Sequence, residues 1–298
     1  MTPQRVPVPS PWRGFLLLVA AMLCFAVLDT TTKSAMAQVP TLMALWVLFL
    51  IQALVTNSFV LMRRGVAGLR TQRLKLHVLR GCLLTAVQGL AFLSLRYLPV
   101  GEFTALAMTT PLLVTLLAAR VLGEHVSPLR LLLVFGGLAG TLVIVRPGGD
   151  SMGWVLALPL GLVLVNAAYQ LLTSRMARTE DAVATLCYTT LTGLLITSVP
   201  LAWYWVPIAE PGLWLQLLLM GAAATAGNLL FILAFERAPA ATLMPYMYLQ
   251  IGFGIFGGWL IFQHVPDTQS VLGMALIALC GMAGGYLTLY EKRLRSAA

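Results

Sequence analysis

Charge is scarce in this chain. Only 10% of its 298 residues are Asp, Glu, Lys or Arg, where a soluble domain carries about 25%. Acid is scarcer than base: 10 acidic residues stand against 19 basic ones, a formal net charge of +9. With 59% hydrophobic residues and a mean hydropathy of +0.90, too little polar surface remains to keep the chain in water. That excludes a soluble enzyme, a disordered protein and a disulfide-rich secreted module. Cys24, Cys82, Cys187 and Cys280 sit singly in apolar runs, with no CxxC and no Cys/His cluster. Neither a metal site, a disulfide frame nor a cofactor is expected from them. His77, His125 and His264 lie far apart, and there is no HExxH, GxSxG or Walker motif, so an enzyme is not expected either.

What is present is a succession of long apolar runs. A helix needs about 20 mostly apolar residues to cross a bilayer. Ten stretches qualify: 13–33, 41–62, 76–95, 100–119, 129–146, 153–174, 183–205, 212–235, 240–262 and 270–290. Proline and glycine punctuate the gaps, at Pro40, Gly65, Pro99, Pro128, Pro147-Gly148-Gly149, Pro207, Pro211, Pro239 and Pro266. The fold class expected is all-α membrane. Ala35-Met36-Ala37 resembles a signal-peptidase site, but Asp29 and Lys33 interrupt the run before it, so 13–33 reads as a first transmembrane helix.

The positive charge is an orientation signal. With the N-terminus in the cytoplasm, Arg5, Arg13, Arg63, Arg64, Arg70, Arg73, Lys75, Arg80, Arg120, Arg130, Arg175, Arg178, Arg237, Lys292, Arg293 and Arg295 fall inside. That is 16 of the 19, with only Lys33, Arg96 and Arg146 outside. The expected topology is ten spans with both termini cytoplasmic, and nucleic acid is not an expected partner. Trp154, Trp203, Trp205, Trp214 and Trp259 fall near the outer helix ends, as an aromatic belt does.

The chain also repeats itself. Leu93-Ser-Leu-Arg-Tyr-Leu-Pro99 resembles Leu233-Ala-Phe-Glu-Arg-Ala-Pro239, an offset that places Gln88 on Asn228 and Gly123-Glu124 on Gln263-His264. Thr32-Lys33 similarly resembles Ser174-Arg175, and helices 5 and 10 carry Gly136/Gly140 and Gly281/Gly285. Duplicating an odd number of spans inverts the second copy. The reading is therefore two inverted five-helix repeats, 1–150 and 151–298, an arrangement that secondary transporters use around a midplane site.

These residues carry a family resemblance. The five-plus-five layout, Lys33 at the end of helix 1, and the run from Ala91 through Pro99 to Pro111 and Gly123-Glu124 resemble the drug/metabolite transporter superfamily, in its ten-span EamA-type branch. Within that branch the chain is most similar to bacterial inner-membrane amino-acid exporters, including the aromatic amino-acid group. The second half departs from the pattern, with His264 in place of a glutamate and Pro245-Tyr246 displaced from the Pro111-like position. The resemblance implies export of amino acids and related small metabolites by a monomer in the bacterial inner membrane.

Polar residues within the spans are costly in lipid and so mark a cavity or a helix contact. Gln88 and Asn228 sit at equivalent positions, either facing a substrate or joining helices. Asn166, Tyr169, Gln170 and Thr173 share one face of helix 6, a cavity wall or a packing stripe. Trp46, Met108, Tyr246 and Tyr248 are candidates to contact a substrate side chain. Pro111 and Pro245 are candidates for a helix break that gates transport. Asp29 and Glu102 could couple transport to protons, although an Asp29–Lys33 ion pair one turn apart is the simpler expectation, and Glu102 could simply be solvated. Acid at Asp29 would also serve a proton-coupled multidrug exporter, the alternative function. A nucleotide-sugar carrier would want lysine or arginine in the cavity, and few fall there.

Overall fold

The computed structural model describes residues 11–65, 71, 73–114, 117, 127–145, 154, 155, 157–176, 180, 182–237 and 243–297. Arg5, Arg70, Arg120, Gly123-Glu124, His125, Arg146, Pro147 to Gly149, Arg178 and Pro239 lie outside the described residues. The helices, in chain order, are α1 (Pro11–Ala35), α2 (Thr41–Arg64), α3 (Leu74–Tyr97), α4 (Val100–Ala107), α5 (Pro128–Val145), α6 (Ala157–Met176), α7 (Ala182–Tyr204), α8 (Pro211–Arg237), α9 (Leu249–Phe262) and α10 (Thr268–Ala297). A short 3-10 helix, Met244–Tyr248, leads into α9. Among the described residues, six helices are long and apolar enough to span a membrane, and four shorter apolar ones accompany them. The fold is all-α and membrane-embedded, ten helices in two inverted repeats.

The boundaries follow local chemistry. Pro40, Pro99, Pro128 and Pro211 stand at or just before helix starts, where a missing N–H costs nothing. Gly65 closes α2 at φ +60°, a conformation that a side chain would strain. Three spans differ from the sequence expectation: 240–262 is not one α-helix, because α9 begins at Leu249 behind the 3-10 helix Met244–Tyr248. The stretch 100–119 is not one helix, because α4 stops at Ala107, and α6 begins at Ala157 after a turn at Trp154–Val155 rather than at 153.

Packing shows the repeat directly. The principal partners are α1 with α8, α3 with α6, α2 with α7, α4 with α9 and α5 with α10. Exchanging the halves maps this set onto itself, and likewise turns α3–α7 into α8–α2. Two glycines fix the correspondence residue by residue. A Cβ on Gly81 of α3 would strike Thr192 of α7, and a Cβ on Gly221 of α8 would strike Ile51 of α2. The outermost pair, α5 and α10, closes at Gly140 against Gly273 and at Gly136 against Cys280, as small residues allow.

Candidate functional site

Both halves depart from regular α-helix at nearly the same level of the repeat. α4 turns through Met108–Thr109 and resumes over 110–114. Pro111 lacks an N–H, so the Ala107 carbonyl has no donor four residues on. The chain answers with a tighter turn: Thr109 N–H donates to Leu106 O at 3.0 Å, and the Leu112 and Leu113 N–H groups converge on Thr109 O at 3.1 and 3.2 Å. In the second half the equivalent stretch is the 3-10 helix Met244–Tyr248, with Pro245 in its first turn. Discontinuous helices of this kind are where inverted-repeat transporters bind their substrates.

Polar side chains tie these breaks to the crossing helices. Asp29 of α1 reaches α9 and α4: Gln250 Nε2 donates to its Oδ2 at 3.3 Å, and Thr104 Oγ1 lies 3.3 Å from the same oxygen. The Thr104 proton is held more closely by Val100 O, at 2.8 Å. The threonine oxygen therefore keeps a lone pair for Asp29, and the setting suits both forms of the acid. Ionised, it accepts from Gln250; protonated, it can donate to Thr104. In the other half, Asn166 Nδ2 of α6 donates to Thr110 Oγ1 beside the α4 break at 3.4 Å. Thr110 and Gln250 are equivalent by the repeat offset, so the two crossings are bridged at the same level of α4 and α9, although Asp29 and Asn166 are not equivalent positions on α1 and α6.

The expected Asp29–Lys33 pair does not form. Lys33 Nζ donates instead to Leu95 O at 3.1 Å and Leu98 O at 2.7 Å, and lies 5.7 Å from the Phe262 ring centre. Carbonyls at a helix C-terminus lack intrahelical donors and carry partial negative charge, so they compete well for an ammonium. Glu102 is not simply solvated either. It is half-buried and accepts from Ser270 Oγ at the start of α10, 2.9 Å away.

The remaining sequence candidates scatter. Gln88 and Gln170 are half-buried, with no side-chain hydrogen bond to another described residue. Asn228 is half-buried and donates to Ala224 O of its own helix at 2.9 Å. Met108 is half-buried at the α4 turn. Trp46 lies on the α2–α7 seam, where its Nε1 donates to Ser198 Oγ at 2.8 Å. Tyr246 is exposed and meets Phe15 of α1 edge-on at 4.9 Å. Tyr248 is buried against α10, where its ring occupies the space a Cβ on Gly281 would need. The structure thus gathers Asp29, Gln250 and Asn166 toward the irregular turns of α4 and α9 and sets Tyr169 against α3. It places Trp46, Tyr246 and Tyr248 on other contacts. A surface cavity of about 530 Å³ opens between the α1–α2 connection, Arg96 and Tyr204, and holds none of the candidates.

One polar residue escaped the sequence reading. Arg80 counts there as a cytoplasmic orientation charge, yet it is only 7% exposed, folded into the bundle between α3, α6 and α7. Its Nε donates to Thr173 Oγ1 at 2.8 Å, one terminal nitrogen to Thr189 Oγ1, and the other to Tyr169 OH at 2.6 Å. Its guanidinium carbon lies 4.7 Å from the Tyr169 ring centre. Both threonines spend their own protons on carbonyls one turn back, Tyr169 O and Thr185 O, and so present oxygen to the guanidinium. The available signal was depth: Arg80 stands six residues into α3, about 9 Å along its axis. One turn nearer the end, buried His77 and Thr71 hold Glu180 of the α6–α7 connection, at 3.1 and 2.9 Å. Hydrogen bonds from His77 and Thr71, with the charges of His77 and Arg73, hold the Glu180 carboxyl below the usual glutamate range.

A model of the EamA-like transporter family matches residues 12–146 and, a second time, residues 152–284. The chain belongs to the EamA-like transporter family. Each match covers one five-helix half. Among curated relatives, a riboflavin transporter of Brucella anthropi is 29% identical over 267 residues, 87% of this chain and 94% of that one. The pseudopaline exporter CntI of Pseudomonas aeruginosa is 28% identical over 273 residues, 91% and 95% of the two chains. An S-adenosylmethionine uptake transporter of Rickettsia prowazekii is 25% identical over 217 residues, 72% of each. A solved crystal structure shares the fold at a TM-score of 0.68 and 20% identity, covering 96% of this chain and 99% of that one. This EamA-like protein is a multi-pass membrane transporter of small molecules.

Proposed function

We propose that the protein is a bacterial inner-membrane secondary transporter that exports amino acids and related small metabolites by alternating access, with both termini in the cytoplasm. The observation that carries this reading is the pair of irregular stretches, the turn in α4 and the 3-10 helix leading into α9, each beside a part-buried polar contact to a crossing helix. The halves 1–150 and 151–298 rock against one another about these crossings. Gln88, Asn228, Asn166, Tyr169 and Gln170 supply amide and hydroxyl groups to a zwitterionic substrate, and Met108 lies beside its side chain. The Pseudomonas aeruginosa exporter supports the outward direction. Proton coupling through Asp29 fits its two hydrogen-bonding modes.

A second reading, riboflavin as the substrate, draws on the Brucella anthropi relative. Counterflow in proteoliposomes separates the two. Purified full-length protein is loaded with unlabelled compound and offered labelled amino acids, riboflavin or S-adenosylmethionine. Exchange of amino acids is the expected result. Exchange of riboflavin alone establishes the second reading, and uptake of cationic dyes without either makes the protein a multidrug exporter.

A further inference from the structure

We propose that Arg80, with the Tyr169 hydroxyl, is the receptor for an oxyanion on the transported molecule, a carboxylate or a phosphate ester; this rests on the transport reading above.

The internal repeat supplies a control. The Gly81–Thr192 and Gly221–Ile51 contacts put Arg80 in register with Met220, and Thr189 with Leu48. The match of Thr32-Lys33 to Ser174-Arg175 puts Tyr169 in register with Val27. Where one half buries Arg80, Thr189 and Tyr169, the other therefore packs Met220, Leu48 and Val27. Met220 and Leu48 are fully buried. The fold accepts an apolar layer at this crossing, so helix packing alone does not call for a guanidinium.

Burying a cation without an anion is expensive. No carboxylate among the described residues pairs with Arg80; its three bonds all go to neutral hydroxyls. A guanidinium has five N–H groups. Three bonds, one from each nitrogen, leave one N–H on each terminal nitrogen without a described partner. Two such donors are the fork that takes a carboxylate or phosphate bidentately. Tyr169 accepts from Arg80, and its hydroxyl, which also meets the Thr173 side chain, can turn from Thr173 to donate to an oxyanion at the same point. The site also leads inward: three residues from Tyr169 on the same helix, Asn166 reaches Thr110 at the α4 break. An oxyanion held by Arg80 would supply the missing countercharge and lie at one end of this polar lane.

The test uses matched pairs that differ only at the acid: L-phenylalanine against L-phenylalaninamide, and riboflavin 5′-phosphate against riboflavin. Apparent affinities are read from competition of counterflow and from ligand-induced thermal shifts of the purified full chain. In the wild type the acid-bearing member of at least one pair binds about tenfold or more tightly than its partner. Arg80→Met, which copies the residue of the other half, folds and binds both members alike, and Arg80→Lys restores part of the preference. Tyr169→Phe, which keeps the ring against Arg80, reduces the preference and serves as the test should Arg80→Met not fold. Which pair responds tells carboxylate from phosphate. Two results overturn the proposal: wild type that is indifferent to the acid in both pairs, or variants that keep the wild-type preference. Failure of the transport reading looks different, because wild type then exchanges no amino acid, flavin or S-adenosylmethionine at all.

Discussion

Asp29 of α1 accepts a hydrogen bond from Gln250 of α9 at 3.3 Å, a contact between the two halves of the molecule. Asn in place of Asp keeps an acceptor for Gln250 but cannot take up a proton. Asp29→Asn is therefore expected to fold and to support counterflow, while losing any response to an imposed pH gradient. Gradient-driven flux in proteoliposomes checks this. A variant that responds to the gradient as the wild type does removes Asp29 from coupling.

Glu180 links the α6–α7 connection to the start of α3 through His77 and Thr71. Its carboxyl titrates lower in the folded protein than in an unfolded chain. The sign follows: the latch contributes stability above the ordinary glutamate range and loses it as pH falls through that range to the depressed folded value. The wild-type melting temperature should drop on that acid limb, and Glu180→Gln should flatten the drop. Parallel melting curves for the two proteins would show that the latch contributes nothing.

Tyr248 fills the space over Gly281. Gly281→Ala should overpack this contact and cost about 1–3 kcal/mol. Tyr248→Ala opens room for the added methyl, so the double variant should lose less than the sum of the two single changes. Denaturation of the four proteins in detergent gives the coupling, and strict additivity would place the Tyr248 ring elsewhere.

Asn228 bonds only within its own helix among the described residues, and Gln88 bonds to none of them. Replacing either with alanine should shift stability by less than about 1 kcal/mol, while lowering amino-acid counterflow about tenfold if both face substrate. Normal counterflow in Gln88→Ala and Asn228→Ala would move the binding site away from α3 and α8.

Much of the architecture was legible because lipid imposes one rule on every span. The runs that became α1, α2, α3, α7, α8 and α10 differ from the structure only at their ends, since proline and glycine punctuate them. The family resemblance was legible from the same residues. What escaped depended on side-chain direction. Asp29 and Lys33 are one turn apart, so local spacing suggests a pair; the partners that win, Gln250 and the carbonyls of Leu95 and Leu98, are distant in sequence. Arg80 follows a basic segment and counts as one more orientation charge, although it turns inward. Tyr246 and Tyr248 are both candidates for substrate contact in the sequence, but one is exposed beside Phe15 and the other is sealed under α10.

The interruption in α4 has a mechanical consequence. Before the turn, Thr104 meets Asp29 and Gly101 lies against Ile255 of α9. At its end Thr109 bonds Thr141 of α5 at 2.9 Å, and just beyond it Thr110 bonds Asn166 of α6. Two short rods are thus gripped by different neighbours and share a two-residue swivel. Pro111 has already removed one helical hydrogen bond, so swinging one rod does not require breaking it. Resistance to the swing comes from the backbone bonds of the turn, Thr109 N–H to Leu106 O among them, and from the side-chain contacts, so substitutions at Thr104, Thr109 or Thr110 can stiffen or loosen the joint while leaving the helices themselves intact.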